Sequence, residues 1–328
     1  MGPERAVTRR EVLALGVGAG VTATRLGGPL LRSAWGKETT VKASYFAISA
    51  LVQYYAAKEQ GLFQAEDLKL EDTFVPGHLV MQSVVSGQVD FTMTNTLDIT
   101  KINLQGVSVK ILYPAVTISE ANPYAQLVVP TGSPIKIAKD LEGKKVALAT
   151  LRSGPELAVR NWLLANGADP EKVSFISVGF DGIVPAAKSR QFDAIYAIEP
   201  ELAIIKGQKL GEAIAVPHLA LGSQVLLTGF IAREAWIDRN PETAQAIVRA
   251  LDKATQWLMA HPQEVPSIVS RNTRMEDALA RQMIQPGLTR VARRVDLQPY
   301  LDMAARLKYI PRPLDVCALF SKHCPREC

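Results

Sequence analysis

The segment SGQVDF at residues 86–91 recurs as SRQFDA at residues 189–194, 103 residues further along the chain. Each copy follows a helix-like segment and leads into a short apolar run. Polar residues follow both runs, Asn95-Thr96 after the first and Glu199-Pro200 after the second. Because the order of helix, turn, aspartate, strand and polar loop is kept, we interpret the two copies as parts of two similar α/β lobes.

Outward from the two copies, short β-like runs alternate with helix-like segments, a pattern typical of α/β architecture. The predicted strands cover residues 40–47, 69–74, 91–94, 109–116, 126–129, 145–150, 173–178, 194–198 and 224–232. The predicted helices cover residues 51–60, 78–86, 156–166 and 183–188, and a longer helix begins at Asn240-Pro241. Ligands of open α/β sheets bind at the carboxyl ends of the strands, so we expect a shared crevice between the lobes at those ends.

The chain is too long for one ordinary hydrophobic core, and we divide it into four parts. A leader covers residues 1–36. The first lobe covers residues 37–127 and 229–262, and the second lobe covers residues 128–228, so the chain crosses between the lobes twice. Residues 263–328 are expected to form C-terminal helices that pack on the first lobe, followed by a tail.

The leader has the features of an export signal. Arg9 and Arg10 precede a weakly apolar, Gly-rich stretch at residues 12–21, which is too short and interrupted to span a membrane. The arginine pair favours the twin-arginine route, and the small residues Ala34 and Gly36 place cleavage after Gly36. We therefore expect a periplasmic protein. The alternative is a basic amphipathic or membrane-anchoring helix.

Charge and composition argue against one class of partner. Without the leader, 32 basic and 30 acidic residues remain of the 37 and 32 in the full chain, so the sequence pI of about 9.0 says little about partners. No basic stripe interleaved with aromatic residues is present in the sequence. We therefore expect no nucleic-acid partner.

All three cysteines, Cys317, Cys324 and Cys328, lie at the end of the sequence. Their spacing matches no standard zinc motif, and no two of the four histidines are four residues apart, so we predict no metal and no cofactor. A disulfide in the tail and a loose tail with one free thiol are both open alternatives. Because the body of the protein has no cysteine, packing must stabilise it.

Several stretches resemble the solute-binding proteins of ABC importers for nitrate, sulfonates and taurine, a family that includes thiamine-pyrimidine binders. They include YYAAKEQGLF at residues 54–63, SGQVDF at residues 86–91 and IAKDLEGKKVA at residues 137–147. The similarity covers nearly all of the chain after the leader. It implies a type II-like periplasmic-binding-protein fold that closes like a hinge on a small molecule and delivers it to an importer permease. We expect the protein to be a monomer.

Five candidate ligand contacts lie in the loops of the first lobe. Phe46 and Ser49 follow the first predicted strand, and His78 opens the next helix. Asn95 and Thr96 follow the third strand and offer short polar groups. Ser49 is equally suited to capping the helix that follows it, and His78 is equally consistent with a solvated loop residue.

Four further candidates lie in the second lobe. Ser153 and Gly154 precede Pro155 at the start of a helix, whose free N–H groups would form an anion site. The resemblance implies that this position holds the acidic head of a sulfonate-type ligand. Phe180 would supply an aromatic wall. Glu199 suits an amine or a ring N–H, unless it is a salt-bridged residue at the rim. We expect an anion such as a sulfonate or an aromatic carboxylate, with an aminopyrimidine as the alternative ligand.

Catalysis is the rival function. Relatives that make thiamine pyrimidine carry a cysteine-rich metal motif within the lobes, whereas this chain has no cysteine before Cys317. A nucleophile elbow, a phosphate loop and a paired-carboxylate signature are also absent from the sequence. A sensory receptor would need a transmembrane or DNA-binding module, and neither is visible. The sequence therefore predicts a binding protein and not an enzyme.

Overall fold

The computed structural model describes residues 38–328, so the predicted leader and its cleavage site lie outside the described residues. The strands are β1 (Thr39–Tyr45), β2 (Leu68–Phe74), β3 (Phe91–Asn95), β4 (Val109–Pro114), β5 (Val116–Ser119), β6 (Ala125–Pro130), β7 (Lys145–Leu148), β8 (Ser174–Ser177), β9 (Ala194–Ile198), β10 (Gly211–Ala215), β11 (Gln224–Leu226), β12 (Thr228–Arg233), β13 (Gly287–Leu288), β14 (Ala292–Arg293) and β15 (Arg326–Glu327). The helices are α1 (Val52–Glu59), α2 (Val80–Val85), α3 (Thr96–Leu104), α4 (Gly154–Ala165), α5 (Ile183–Ser189), α6 (Glu201–Gly207), α7 (Glu234–Arg239), α8 (Pro241–Ala260), α9 (Val265–Thr273), α10 (Asp277–Ala280) and α11 (Gln298–Arg306).

The first lobe is built on a five-stranded sheet in the order β2-β1-β3-β12-β4. Strand β1 is parallel to both β2 and β3, whereas β12 runs antiparallel to β3 and β4. Ile111, Leu112 and Tyr113 of β4 are all buried, because both faces of the sheet are covered. This covering explains why the strand is a continuous apolar run in the sequence.

The second lobe repeats the arrangement of the first. Its sheet has the order β8-β7-β9-β6-β10, with β7 parallel to β8 and β9, and with β6 antiparallel to β9 and β10. Each sheet therefore has three parallel strands, then one antiparallel strand brought in from elsewhere in the chain, then an outer strand. The two-lobed α/β fold predicted from the repeated segments is confirmed.

The aspartates of the two repeated segments make the same contacts in the two lobes. Asp90 Oδ2 accepts a hydrogen bond from the N–H of Lys42 at 2.9 Å, and Asp193 Oδ2 accepts one from the N–H of Lys145 at 2.8 Å. In each lobe the N–H of the aspartate also donates to the carbonyl of the same lysine. Asp90 thus joins the start of β3 to β1, and Asp193 joins the start of β9 to β7. The repeated motif is therefore structural.

A small antiparallel sheet of order β11-β5-β13 lies where the chain passes between the lobes. Strand β5 leads from the first sheet to the second, and β11 leads back. The boundary expected between residues 127 and 128 falls inside β6, which belongs entirely to the second sheet. The first crossing therefore lies earlier, at β5. The sequence misplaced it because a short apolar run has the same pattern in a connection as in a buried strand. The expected return between residues 228 and 229 falls at the first residue of β12.

Helix α8 begins at Pro241 as predicted, and one of its faces is buried in the core of the first lobe at Ala244, Ile247, Val248, Leu251, Ala254 and Leu258. Asn240 occupies the N-cap position of this helix, but its side chain makes no capping hydrogen bond. It donates instead to the carbonyl of Trp236 at 2.9 Å, because Asn240 also ends α7. None of the helices between residues 38 and 328 combines the length and the apolar composition needed to cross a bilayer.

The C-terminal part of the chain packs on both lobes, whereas the sequence predicted packing on the first lobe alone. Helix α11 lies against α3 of the first lobe and α4 of the second. The tail is not loose. Cys317 and Cys328 form a disulfide, Cys324 is a buried free thiol, and Phe320 is 5% exposed. Apolar residues between the cysteines anchor the tail, and the cysteine spacing carried no sign of them.

Candidate functional site

The parallel strands of the two sheets end at a common interface between the lobes. In the first lobe β1, β2 and β3 end at Tyr45, Phe74 and Asn95, and in the second lobe β7, β8 and β9 end at Leu148, Ser177 and Ile198. All nine candidate residues lie at these strand ends, in the loops that follow them or at the first residue of the next helix. The candidates divide into a buried group whose polar atoms are already hydrogen-bonded or packed and a group that is at least partly exposed.

Ser49 and Glu199 belong to the buried group and bring the lobes into contact. Ser49 is fully buried, and its hydroxyl lies 2.5 Å from the Tyr124 hydroxyl and 3.4 Å from the carbonyl oxygen of Glu199. Tyr124 precedes β6, so this contact joins the loop after β1 to two segments of the second lobe. The Ser49 side chain does not cap the helix that follows. Burial raises the pKa of Tyr124 above its ordinary range.

The Glu199 carboxylate has both oxygens occupied by backbone donors. One oxygen accepts the N–H of Ala203 in α6, and the other accepts the N–H of Ile284 in the C-terminal part of the chain, each at 3.0 Å. The side chain is therefore neither a salt-bridged rim residue nor an open ligand contact. Burial raises the pKa of Glu199 to about 7, although these two N–H groups act in the opposite direction.

Glu201, two residues further on, also carries a buried carboxyl group. Its Oε2 atom is inaccessible to solvent and has no hydrogen-bond partner among residues 38–328. Burial is the main cause that raises the pKa of Glu201 to about 7, and the nearby carboxylate of Asp181 adds to the effect. The sequence did not single out this residue, since one glutamate in the first turn of a helix is common.

Asn95 and Thr96 lie at the start of α3, and both side chains are used within the protein. Asn95 caps α3: its side-chain oxygen accepts the N–H of Asp98 at 2.9 Å, and its amide donates to the Asp98 carboxylate at 2.6 Å. The Thr96 hydroxyl donates to the carbonyl of Leu226 in β11 at 3.2 Å. Thr96 is 1% exposed, whereas Asn95 is only partly buried.

The predicted anion site at the start of α4 is partly covered. The Ser153 hydroxyl donates to the carbonyl of Thr150 at 2.6 Å. Gly154 is buried beneath Tyr300 of α11, whose hydroxyl lies 2.3 Å from the position that a Cβ would take at Gly154. The Glu156 carboxylate, 4% exposed, accepts the backbone N–H of Arg152 at 2.6 Å. The Glu156 carboxylate thus lies near the N-terminus of α4, where the sequence predicted that the acidic group of a ligand would bind.

Exposed apolar side chains rim the cleft in matching positions of the two lobes. Phe180 follows β8 and is 54% exposed, and Phe74 ends β2, the equivalent outer strand of the first sheet, and is 56% exposed. Phe46 is partly buried, with its ring 3.6 Å from the position of a Cβ at Gly77, and His78 is exposed. Exposed aromatic side chains at the mouth of a cleft are suited to contact the body of an organic ligand.

Tyr124 and Tyr300 line the same interface, and the sequence did not predict either of them. Tyr124 comes directly before a buried strand, and Tyr300 lies 146 residues after Gly154, the residue it covers. Neither carries a local motif, so only the tertiary contacts identify them. Among residues 38–328 no group of three or more His, Cys, Asp or Glu side chains is placed to hold a metal ion.

Comparison with known proteins agrees with this architecture. The sequence profile of the family described as NMT1/THI5 like matches residues 49–265, about two thirds of the chain. The chain belongs to the NMT1/THI5-like family. The family resemblance seen in the sequence is thereby confirmed. The putative binding protein YtlA of Bacillus subtilis is 23% identical to this member of the family over 239 residues, which are 69% of this chain and 68% of YtlA.

Solved structures of periplasmic binding proteins share the fold of this NMT1/THI5-like chain. The periplasmic aliphatic sulphonate binding protein SsuA of Escherichia coli superposes with a TM-score of 0.71 at 15% identity, covering 86% of this chain and 92% of SsuA. The nitrate-binding protein NrtA of Synechocystis superposes with a TM-score of 0.70 at 18% identity, covering 88% and 86% of the two chains. The desulfurization enzyme DSZB has the same fold, with a TM-score of 0.61 at 13% identity and coverage of 86% and 96%.

Proposed function

We propose that this protein is an extracytoplasmic solute-binding protein, which captures a small organic ligand between its lobes and delivers it to an ABC importer. The observation that carries the proposal is the meeting of the strand ends of both lobes at one interface, where Ser49 contacts Tyr124 and Glu199. Ligands of open α/β folds bind at such strand ends. The names of YtlA, SsuA and NrtA as binding proteins support the same role.

The ligand that we propose is an organic anion, such as a sulfonate or an aromatic carboxylate. Its acidic group would bind beside Ser153, where the start of α4 offers the positive end of a helix dipole. Its body would lie against Phe180 and Phe46. The sulphonate named for SsuA supports this class. Because Tyr300 covers Gly154 and the Glu156 carboxylate lies close by, we expect the Ser153 hydroxyl to be the main polar contact, with its proton turned from the Thr150 carbonyl to the ligand.

An amine or aminopyrimidine is the second candidate ligand, and the unpartnered Oε2 of Glu201 favours it. A buried carboxylate oxygen without a donor is unfavourable, and a ligand N–H would remove that cost. The Glu199 carboxylate does not add to this candidate, since Ala203 and Ile284 already occupy both of its oxygens.

A thermal-shift panel of alkanesulfonates, nitrate, aromatic carboxylates and aminopyrimidines tests the proposal. We expect a sulfonate or carboxylate to raise the melting temperature, because a ligand at one hundred times its Kd stabilises the folded state by about 2.7 kcal/mol. In titrations with the best anion, Ser153→Ala should raise the Kd about tenfold, since a charge-assisted hydrogen bond contributes about 1.5–3 kcal/mol. Phe180→Ala should raise it by a similar factor, since the ligand body would lose an apolar contact worth about 1.5–3 kcal/mol.

Two variants serve as matched controls for this panel. Ser174→Ala removes an exposed serine from β8, and Met259→Ala removes a side chain that is 56% exposed on the outside of α8. Both should leave the Kd unchanged. Stabilisation by aminopyrimidines alone, with a Kd that responds to Glu201→Gln and not to Ser153→Ala, would show that the anion assignment is wrong. If no compound in the panel binds, the proposed ligand class fails as a whole.

We also propose export through the twin-arginine route, because Arg9 and Arg10 precede a weak apolar stretch. Replacing both arginines with lysine should leave the protein in the cytoplasm when cells are fractionated. Arg25→Lys is the matched control within the same leader and should be exported normally. Export of the double variant at the parental level would contradict the route and leave only general secretion or anchoring.

A further inference from the structure

The C-terminal residues 292–328, which we call the strap, contact both lobes after the chain has already crossed between them at β5 and β11. The strap begins at β14 and ends at β15, and these two strands pair with each other, with Ala292 opposite Arg326. The disulfide between Cys317 and Cys328 closes it further. The strap is therefore a closed loop of chain.

The strap is attached to the first lobe through backbone bonds at the sheet edge. The N–H of Ser321 donates to the carbonyl of Ile111 in β4 at 2.9 Å, and Phe320 forms a β-bridge with the same residue. The Lys110 ammonium donates to the carbonyl of Ala318 at 2.7 Å. Leu319 and Phe320 are buried in the apolar core. These contacts extend the first sheet by a short segment of the strap.

Side chains attach the strap to the second lobe. Tyr300 packs over Gly154 and stacks on His218, with ring planes 25° apart. The Arg152 guanidinium donates to the carbonyl of Lys308 and lies 4.4 Å from the centre of the Tyr309 ring. Tyr300, Leu301 and Tyr309 belong to one apolar cluster with residues of both sheets.

Arg152 holds all three parts together. Its carbonyl accepts a hydrogen bond at 2.7 Å from Lys101 in α3 of the first lobe, while its guanidinium donates to the carbonyl of Lys308 in the strap. Its backbone has a φ of +54°, a conformation that disfavours every residue except glycine and, to a lesser degree, asparagine and aspartate. An arginine here therefore carries a backbone cost that its side-chain contacts offset.

We propose that the strap holds the two lobes in the arrangement seen in the structure, and that a wider opening of the cleft requires Tyr300 and Tyr309 of the strap to separate from Gly154 and Arg152 of the second lobe. The strap is a third link between the lobes, in addition to β5 and β11. A rotation of the lobes about β5 and β11 would therefore pull the strap side chains away from the second lobe. The backbone pairing at Ile111 keeps the strap on the first lobe during the motion, because it is part of a sheet.

Arg152→Gly is the variant that tests this role. It removes the contacts of the guanidinium with Lys308 and Tyr309, and it places at the positive φ a residue that adopts this conformation without cost. The protein should therefore fold with an unchanged or higher melting temperature. The distance between spin labels at Thr73→Cys and Ser177→Cys, the exposed ends of β2 and β8, reports on the cleft mouth. In the free protein, Arg152→Gly should shift this distance distribution to longer values.

Lys322→Ala is the control, because it breaks an exposed ion pair with Asp238 that lies on the first-lobe side of the strap. It should leave the label distance unchanged. A distribution for the Arg152 variant that matches the parent, in a cooperatively folded protein, would overturn the proposal. An equal shift in Lys322→Ala would also overturn it, since the effect would then be general loosening. The measurement needs no ligand, so its result is independent of the proposed ligand class.

Discussion

Gly154→Ala is expected to lower the free energy of unfolding by about 1–3 kcal/mol, because the new methyl group would overlap the Tyr300 hydroxyl. The position of that Cβ lies 2.3 Å from the hydroxyl oxygen and 3.6 Å from the ring carbon that bears it. The ring distance is ordinary contact, so only the hydroxyl is in the way. For a chain of this size we expect the melting temperature to fall by about 2–4 °C per kcal/mol.

The double variant Gly154→Ala/Tyr300→Phe isolates the cause of this loss. Removing the hydroxyl leaves the added methyl in normal contact with the ring, so the double variant should recover most of the stability that Gly154→Ala loses. Gly222→Ala is the control, since its nearest neighbour would be 3.5 Å away, and it should change stability little. Equal losses for the single and double variants in urea titrations would place Tyr300 away from Gly154.

Acidification from pH 6.5 to pH 4 is expected to destabilise the protein through His218. This side chain is 2% exposed, its Nδ1 lies 3.2 Å from the Tyr196 hydroxyl, and burial lowers its pKa to about 4. An unfolded histidine titrates near 6.5, so the unfolded chain binds the proton first as the pH falls. The contribution of His218 alone to the free energy of unfolding therefore falls by about 1.4 kcal/mol per pH unit and by about 3 kcal/mol across the window.

His218→Gln should flatten this part of the pH profile, because glutamine does not titrate and still offers Tyr196 a hydrogen-bond partner. The comparison between parent and variant is needed because Glu199 and Glu201 also change the stability over this pH range. Their pKa values are raised to about 7, so acidification stabilises the folded protein through them. Their contribution is complete below the unfolded pKa and is lost as the pH rises towards 7. His78 is exposed, and His78→Gln serves as the control. Parallel urea-denaturation profiles of parent and His218→Gln between pH 4 and 6.5 would contradict the assignment.

Much of the fold could be predicted from local sequence patterns. The repeated segments that contain Asp90 and Asp193 carried the two-lobed plan, because each aspartate joins two neighbouring strands within one lobe. The start of α8 at Pro241 followed from helix-end preferences. The crossing at β5 did not, since an apolar run looks alike in a connection and in a sheet.

The candidate site was predictable only as a set of loops. Ser49, Gly154 and Glu199 follow strands as expected, but Tyr124, Tyr300 and Ile284, which contact them, come from distant parts of the chain. The sequence by itself determined the repeated architecture, because periodicity and turn residues act over a few positions. Only the tertiary structure decided which polar atoms are already paired and that the C-terminal strap covers Gly154. The contacts of Ser49 with Tyr124 and of Glu199 with Ile284 join residues more than seventy positions apart, and no local pattern records them.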